Sequence, residues 1–232
     1  MVDIKSPTYP YSRVMPGYAQ FRGMERIPYQ IINYLMDMPD KNGYQPIDDN
    51  KRPRTRLAKY LWYDGANPLS NPLPTPVEKL SMLYDGDEPV LNSDEQKERH
   101  PKGYRLYPVA YWGQSELLAQ TTLKVYLGRI IPIDNLSARI GLIFEIICNT
   151  NQDTTTRTDA YSRCVDIEQC ILEALHGVNI TGVGVVNFAR MNHANNGSRP
   201  FHDEGGRVAR ELHMSIDWME SVSDPVPDYC CY

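Results

Sequence analysis

The sequence lacks the features that mark several large classes of protein. No uninterrupted apolar run reaches the roughly 18 residues that a membrane-spanning helix needs. The opening residues, MVDIKSPTYPYS, lack the apolar middle of a secretory signal peptide. The formal net charge of −5 and the pI near 5.6 give no electrostatic case for binding nucleic acid. We therefore expect a chain that folds in a cytoplasm and leaves it only as part of an assembly.

Cysteine is scarce and its spacing forms no framework. The five cysteines are an odd number, and no CxxC pair occurs. Cys148, Cys164 and Cys170 fall in predicted strand or helix segments, whereas Cys230 and Cys231 lie in a tail beside prolines. This pattern argues against a zinc site or a disulfide scaffold, and it predicts reduced, mostly buried thiols for the first three.

The usual catalytic signatures are absent as well. The chain has no Walker-type phosphate loop, no GxGxxG after a strand, no GxSxG and no HExxH. The nearest approach to a site is the polar, glycine-rich segment 192–206, which holds His193, His202, Asp203 and Glu204. Neighbouring side chains in such a loop seldom converge on one point. We therefore predict an exposed interaction loop, with no catalytic, cofactor or metal site.

The final strand is the clearest structural signal. Residues 211–218 alternate strictly between polar and apolar side chains, which predicts a strand with one face on a core. Its polar face carries His213, Ser215 and Asp217. Side chains on one strand face stand side by side, so these three cannot form a hydrolytic triad.

Four earlier segments complete a β-β-α-β-β order. Residues 123–131 and 138–148 are rich in branched and aromatic side chains and flank a short break, which predicts an antiparallel hairpin. Helical spacing follows, with Thr158 or Asp159 able to cap its start and Gly177 able to end it, and 183–191 gives a third strand. Glu145 is the one charge among the isoleucines of the second strand, either paired at a subunit contact or facing solvent.

The part of the chain before this sheet predicts an arm, a helix and an insertion. Residues 1–26 combine aromatic residues with proline and glycine, which predicts an extended N-terminal arm. Apolar residues at helical spacing predict a helix over 27–38. The proline-rich insertion 41–120 has no long periodic element, so we expect it to wrap on the core. Within it, Thr75 can cap a short helix over 76–83.

Two further features of the insertion carry predictions. Residues 104–112 predict an edge strand interrupted by Pro108. A basic cluster is either a solvated face or a contact with an acidic partner or with passing DNA; it consists of Arg52, Arg54, Arg56 and Lys59.

The predicted fold class is α+β: an α-(insert)-β-β-α-β-β sheet packed by helices. We predict a single domain over 27–220, preceded by the arm and followed by a C-terminal tail, 221–232. The chain has sixteen Tyr against four Phe. That ratio suits surfaces that are buried in wet contacts with other chains. The alternative is a compositional accident or ordinary packing at the rim of the fold.

The order of elements resembles that of the tail terminator and neck proteins of tailed bacteriophages. The segments that carry the resemblance cover about half the chain; they are IPYQIINYLMDM, TTLKVYLGRIIP, ARIGLIFEIIC, YSRCVDIEQCILEALHG, GVGVVNFARM and RVARELHMSIDWME. The resemblance implies a tail-terminator-like fold and a structural role without catalysis. The arm and the insertion 41–120 depart from the smaller terminators and leave open whether the chain is a terminator, a stopper or a head-side adaptor.

The resemblance also implies partners. Members of that family form closed rings, commonly of six copies, between the head-side adaptor, stopper or portal-associated proteins and the tail tube or sheath. DNA passes through the lumen without sequence-specific binding, and no membrane is involved. The expected location is the virion neck, assembled in the host cytoplasm. The residues predicted to make these contacts are Tyr9, Tyr11, Tyr18, Phe21, Trp112, His193, Arg199, Phe201, His202, Asp203 and Glu204.

Two alternative functions remain at the level of sequence. One is a small metal-dependent nuclease or hydrolase that uses the carboxylates and histidines of 192–206. The other is a monomeric adaptor that binds one protein through the tyrosine-rich insertion.

Overall fold

The computed structural model describes residues 24–39, 44, 46–65, 67–84, 86, 98–110, 120–133, 137–149, 162–188, 197–203 and 207–219. The predicted N-terminal arm, apart from residues 24–26, and the tail 221–232 lie outside these residues. The described part is a mixed α+β structure.

Seven strands of the described residues form one sheet. In chain order they are β1 (Leu106–Tyr107), β2 (Thr122–Pro132), β3 (Ser137–Asn149), β4 (Asn179–Ile180), β5 (Gly184–Asn187), β6 (Gly197–Asp203) and β7 (Arg207–Met219). The spatial order is β1-β2-β3-β7-β5-β4, and β6 also pairs with β7. Among these described strands, β1 and β2 pair in parallel, and all other strand pairs are antiparallel.

In the described part of the chain, four α-helices accompany the sheet. They are α1 (Ile27–Leu35), α2 (Pro53–Trp62), α3 (Pro76–Ser81) and α4 (Arg163–Leu175), with short 3-10 turns at Met24–Arg26 and Pro68–Ser70. None of the described helices has the length and apolar character needed to cross a membrane.

The core lies between the helices and one face of the sheet. Pairing in register brings Phe144 opposite Leu212, Leu142 opposite Met214 and Ile140 opposite Ile216, and all six side chains are buried. Apolar residues of α1, α2 and α4 belong to the same cluster. The apolar residues that alternate along β3 and β7 thus form one side of the core, and the apolar faces of the helices form the other.

Several predicted elements are confirmed with changed ends. The hairpin forms as β2 and β3, and the first helix runs over Ile27–Leu35. Helix α4 begins at Arg163 after Ser162, several residues later than the start predicted from a cap at Thr158 or Asp159. Thr75 caps α3 as predicted, because its hydroxyl accepts from the Glu78 N–H while the Glu78 carboxylate accepts from the Thr75 N–H.

The structure corrects the prediction that 192–206 is a loop. Residues Gly197–Asp203 form strand β6, which pairs antiparallel with β7 from Arg207 to His213. Glycine, serine and Pro200 have low strand propensity, so the sequence does not predict a strand here. Pairing with the long strand β7 holds the segment in the extended conformation. Helix α2, which the sequence analysis did not predict, carries the basic cluster.

Candidate interaction surface

The predicted contact residues divide into two groups. Seven lie outside the described part of the chain: Tyr9, Tyr11, Tyr18, Phe21, Trp112, His193 and Glu204. The other four lie on β6, where the register sets Arg199 opposite Glu211, Phe201 opposite Ala209, His202 opposite Val208 and Asp203 opposite Arg207. The hairpin of β6 and β7 therefore carries the predicted contact residues that the structure describes.

One clasp fastens β6 to β7 on the sheet face turned away from the helices. Arg199 donates to the Glu211 carboxylate through Nε at 3.0 Å and Nη2 at 2.8 Å. The other Glu211 oxygen contacts Nε2 of His213. Burial raises the pKa of Glu211, but the hydrogen bonds and charges of Arg199 and His213 outweigh it, so the pKa lies below its ordinary value.

A second clasp fastens β6 on the helix-facing side. The largely buried Glu168 of α4 accepts a hydrogen bond from Ser198 Oγ at 2.8 Å and another from Nε of Arg210. Arg210 Nη2 also donates to Ser198 Oγ at 2.7 Å. Sequence analysis missed this triad. The available signal was Arg210, a charge that stands on the apolar side of the alternation in β7.

A row of charges crosses the outer face of the sheet. The register aligns Lys124 on β2 with Glu145 on β3, Glu145 with Glu211 on β7, and Glu211 with Arg199 on β6. Lys124 Nζ lies 3.6 Å from Glu145 Oε2, and both side chains are buried. Glu145 is therefore a paired, buried carboxylate, and the solvent-facing alternative is wrong.

Tyr126 joins this row from β2. Its hydroxyl donates to Glu145 Oε1. Burial raises the pKa of Tyr126, and the hydrogen bond and charge of Glu145 raise it further. The phenol therefore stays protonated and serves as a donor.

The basic cluster forms ion pairs and hydrogen bonds within the molecule, so its side chains are not simply a solvated face, and a contact with a partner stays a prediction. Arg54 pairs with the buried Asp37 at 2.8 Å, Lys59 pairs with Asp48 at 2.6 Å, and Arg56 pairs with Glu173 of α4. The hydrogen bond from Lys59 lowers the pKa of Asp48 despite some burial. Arg52 donates to the Tyr44 hydroxyl at 3.3 Å.

Buried cations also hold the ends of two helices. Lys79 Nζ donates at 2.7 Å to the carbonyl of Met36, just past α1. Arg105 donates at 2.6 Å to the Leu61 carbonyl in the last turn of α2 and pairs with Asp64 through both oxygens. Arg163 donates to the carbonyls of Tyr63 at 3.1 Å and Gly65 at 2.8 Å. These cations satisfy carbonyls that a helix end leaves unpaired.

The three polar residues of β7 do not form a triad. His213 contacts Glu211, Asp217 pairs with Arg139 and Ser215 donates to the Asn187 carbonyl, so the three polar residues of β7 have separate partners. Among the described residues, no group of His, Cys, Asp and Glu is arranged to hold a metal ion. Cys148, Cys164 and Cys170 carry reduced, buried thiols, as predicted.

Comparison with known proteins places the chain in a family. The YomW family model matches residues 55–208, about two thirds of the chain. The chain belongs to the YomW family. YomW is a phage-derived family of the Bacillus prophage type, and membership indicates a phage-related protein. The matched segment runs from α2 to the start of β7, so it includes β6 and only the first two residues of β7. A search of curated proteins gives no match.

Proposed function

We propose that this YomW protein is a structural virion component of the phage neck. In this role it forms a homo-oligomeric ring, a tail terminator with six copies as the expected number, that joins the head-side connector to the tail tube and lets DNA pass. The family membership carries the proposal, because it indicates a phage-related protein. The resemblance in the order of elements supports a place in the neck, with the tail terminator as the proposed role.

The edges of the sheet support an assembly role. Among the described strands, only β1 pairs with the outer edge of β2. This pairing involves only Leu123 and Lys124 of β2. The long remainder of β2 ends in a hairpin where Ile131 and Ile133 are exposed. Unpaired strand edges and exposed apolar residues are the means by which chains add to one another.

The test is deletion of the gene from a phage that carries it, followed by electron microscopy of the particles. We expect full heads and separate tails, and we expect the plasmid-borne chain to restore joined particles. A labelled chain should appear as a ring at the head–tail junction. Joined particles without the chain, or a label found elsewhere in complete particles, would refute the proposal.

A further inference from the structure

We propose that β6 is a releasable strap, which opens from the edge of β7 as a unit while the rest of the sheet stays closed. Strand β6 pairs with β7 over Arg207–His213, and the same edge of β7 is taken over by β5 from Ser215 to Asp217. Release of β6 would therefore bare a defined half of one edge. This inference does not depend on the proposed role in the neck.

Little apolar burial holds the described side chains of β6. Ser198, Arg199 and Pro200 are all exposed, with 69% of the Arg199 side chain accessible. Gly197 has open space where a side chain would stand. Pro200 brings no N–H to the ladder, a loss that strands tolerate at a sheet edge. Local opening is easiest where few apolar contacts oppose it.

The rest of the sheet is anchored differently. The central residues of β3 pair with β2 on one side and β7 on the other, and their side chains fill the core. From Leu212 to Trp218, β7 contributes apolar residues to the same core. Opening these strands would expose that apolar area, whereas opening residues 198–200 of β6, whose side chains are exposed, breaks backbone pairing and two carboxylate clasps.

The two clasps act on neighbouring residues of the strap from opposite faces. Glu168 and Arg210 hold Ser198, and Glu211 holds Arg199. Glu145 on β3 lies directly opposite Glu211, and Tyr126 on β2 interacts with Glu211 electrostatically. Both residues lie on the side of β7 away from β6. Because the clasps meet the strap at adjacent positions, losing both should free its first half and weaken the pairing beyond it.

Hydrogen exchange on the full chain tests the strap. The first variant combines Ser198→Ala with Arg199→Ala; both side chains are exposed, so the domain should fold. We expect the amides of β6, and those amides of 207–213 that point toward β6 and not toward β3, to exchange about ten- to hundredfold faster, the effect of losing one or two charge-assisted hydrogen bonds. Amides of β3 and α4 should be unchanged. Arg129→Ala, which removes an exposed arginine on β2, is the matched control.

A second pair of variants approaches the clasps from the other side. Glu168→Gln with Glu211→Gln should give the same regional acceleration, and Glu173→Gln, an exposed carboxylate on the same helix, should not. The proposal fails if β6 in the unaltered chain exchanges as slowly as the centre of β3. It also fails if either pair of variants accelerates the whole domain equally or leaves β6 unaffected.

Discussion

Glu145 and Glu211 lie directly opposite each other on β3 and β7, on the sheet face away from the helices. Two like charges in this position destabilise a sheet. Each carboxylate has a cation from the next strand outward, Lys124 on β2 for Glu145 and Arg199 on β6 for Glu211. The outer strands therefore compensate a repulsion between the inner ones.

Lys124→Met tests this compensation. The substitution leaves Glu145 buried beside Glu211 without its cation, and we expect it to lower the free energy of unfolding by roughly 3–5 kcal/mol. Adding Glu145→Gln removes the stranded charge and keeps an acceptor for the Tyr126 hydroxyl, so the double variant should recover most of the loss. Urea unfolding of both single variants and the double variant measures the coupling. Strictly additive losses would contradict the pairing.

Lys79→Met should change how stability depends on pH. Burial lowers the pKa of Lys79 from 10.5 in the unfolded chain to about 8 in the folded one. Below pH 8 both states hold the proton, and the fold carries the cost of a buried charge. Between about pH 8 and 10.5 the unfolded state binds more protons, so the contribution of Lys79 to stability rises with pH.

The measurement compares urea unfolding of the natural chain and Lys79→Met at pH 7 and pH 9. Relative to the variant, the natural chain should gain about 1 kcal/mol over this interval. Taking the difference cancels the titration of all other groups. A constant difference would mean that the folded-state pKa of Lys79 is not depressed.

The elements that could be predicted from the sequence are those whose structure is determined by their own residues. The alternation in β7 and the Thr75 cap of α3 are local signals, and the structure contains both. Helix α2 was missed because Arg54, Arg56 and Lys59 suggest a solvated segment. Their partners, such as Glu173, lie far away in sequence, and only the folded chain brings them together. Strand β6 was missed for a similar reason, since its pairing with β7 outweighs a poor strand sequence.

Arg163→Met should destabilise the junction between α2 and α4. The guanidinium is fully buried and satisfies the carbonyls of Tyr63 and Gly65, while burial lowers its pKa. Removing it leaves two carbonyls without this donor, which we expect to cost roughly 2–4 kcal/mol. The exposed Arg129→Met should cost less than about 0.5 kcal/mol. Equal losses in urea unfolding would show that Arg163 acts only as surface charge.

Two glycines with positive φ separate backbone conformation from close packing. Gly177 follows α4 with φ +76°, and a Cβ there would meet nothing within 4 Å. Gly184 begins β5 with φ +102°, and its Cβ would lie 2.6 Å from the carbonyl oxygen of Asp217 on β7. Gly177→Ala should therefore cost about 1 kcal/mol, the conformational penalty alone.

Gly184→Ala adds a collision with backbone to the same penalty. Asp217 is the register partner of Val185, so β5 cannot move away without giving up its pairing with β7. We expect a loss of more than about 2 kcal/mol in urea unfolding, since overpacking against a fixed neighbour costs 1–3 kcal/mol on its own. Faster hydrogen exchange should be confined to β5 and residues 215–217. If the two alanine variants lose the same stability, β5 yields freely, and the close approach to Asp217 does not constrain this edge of the sheet.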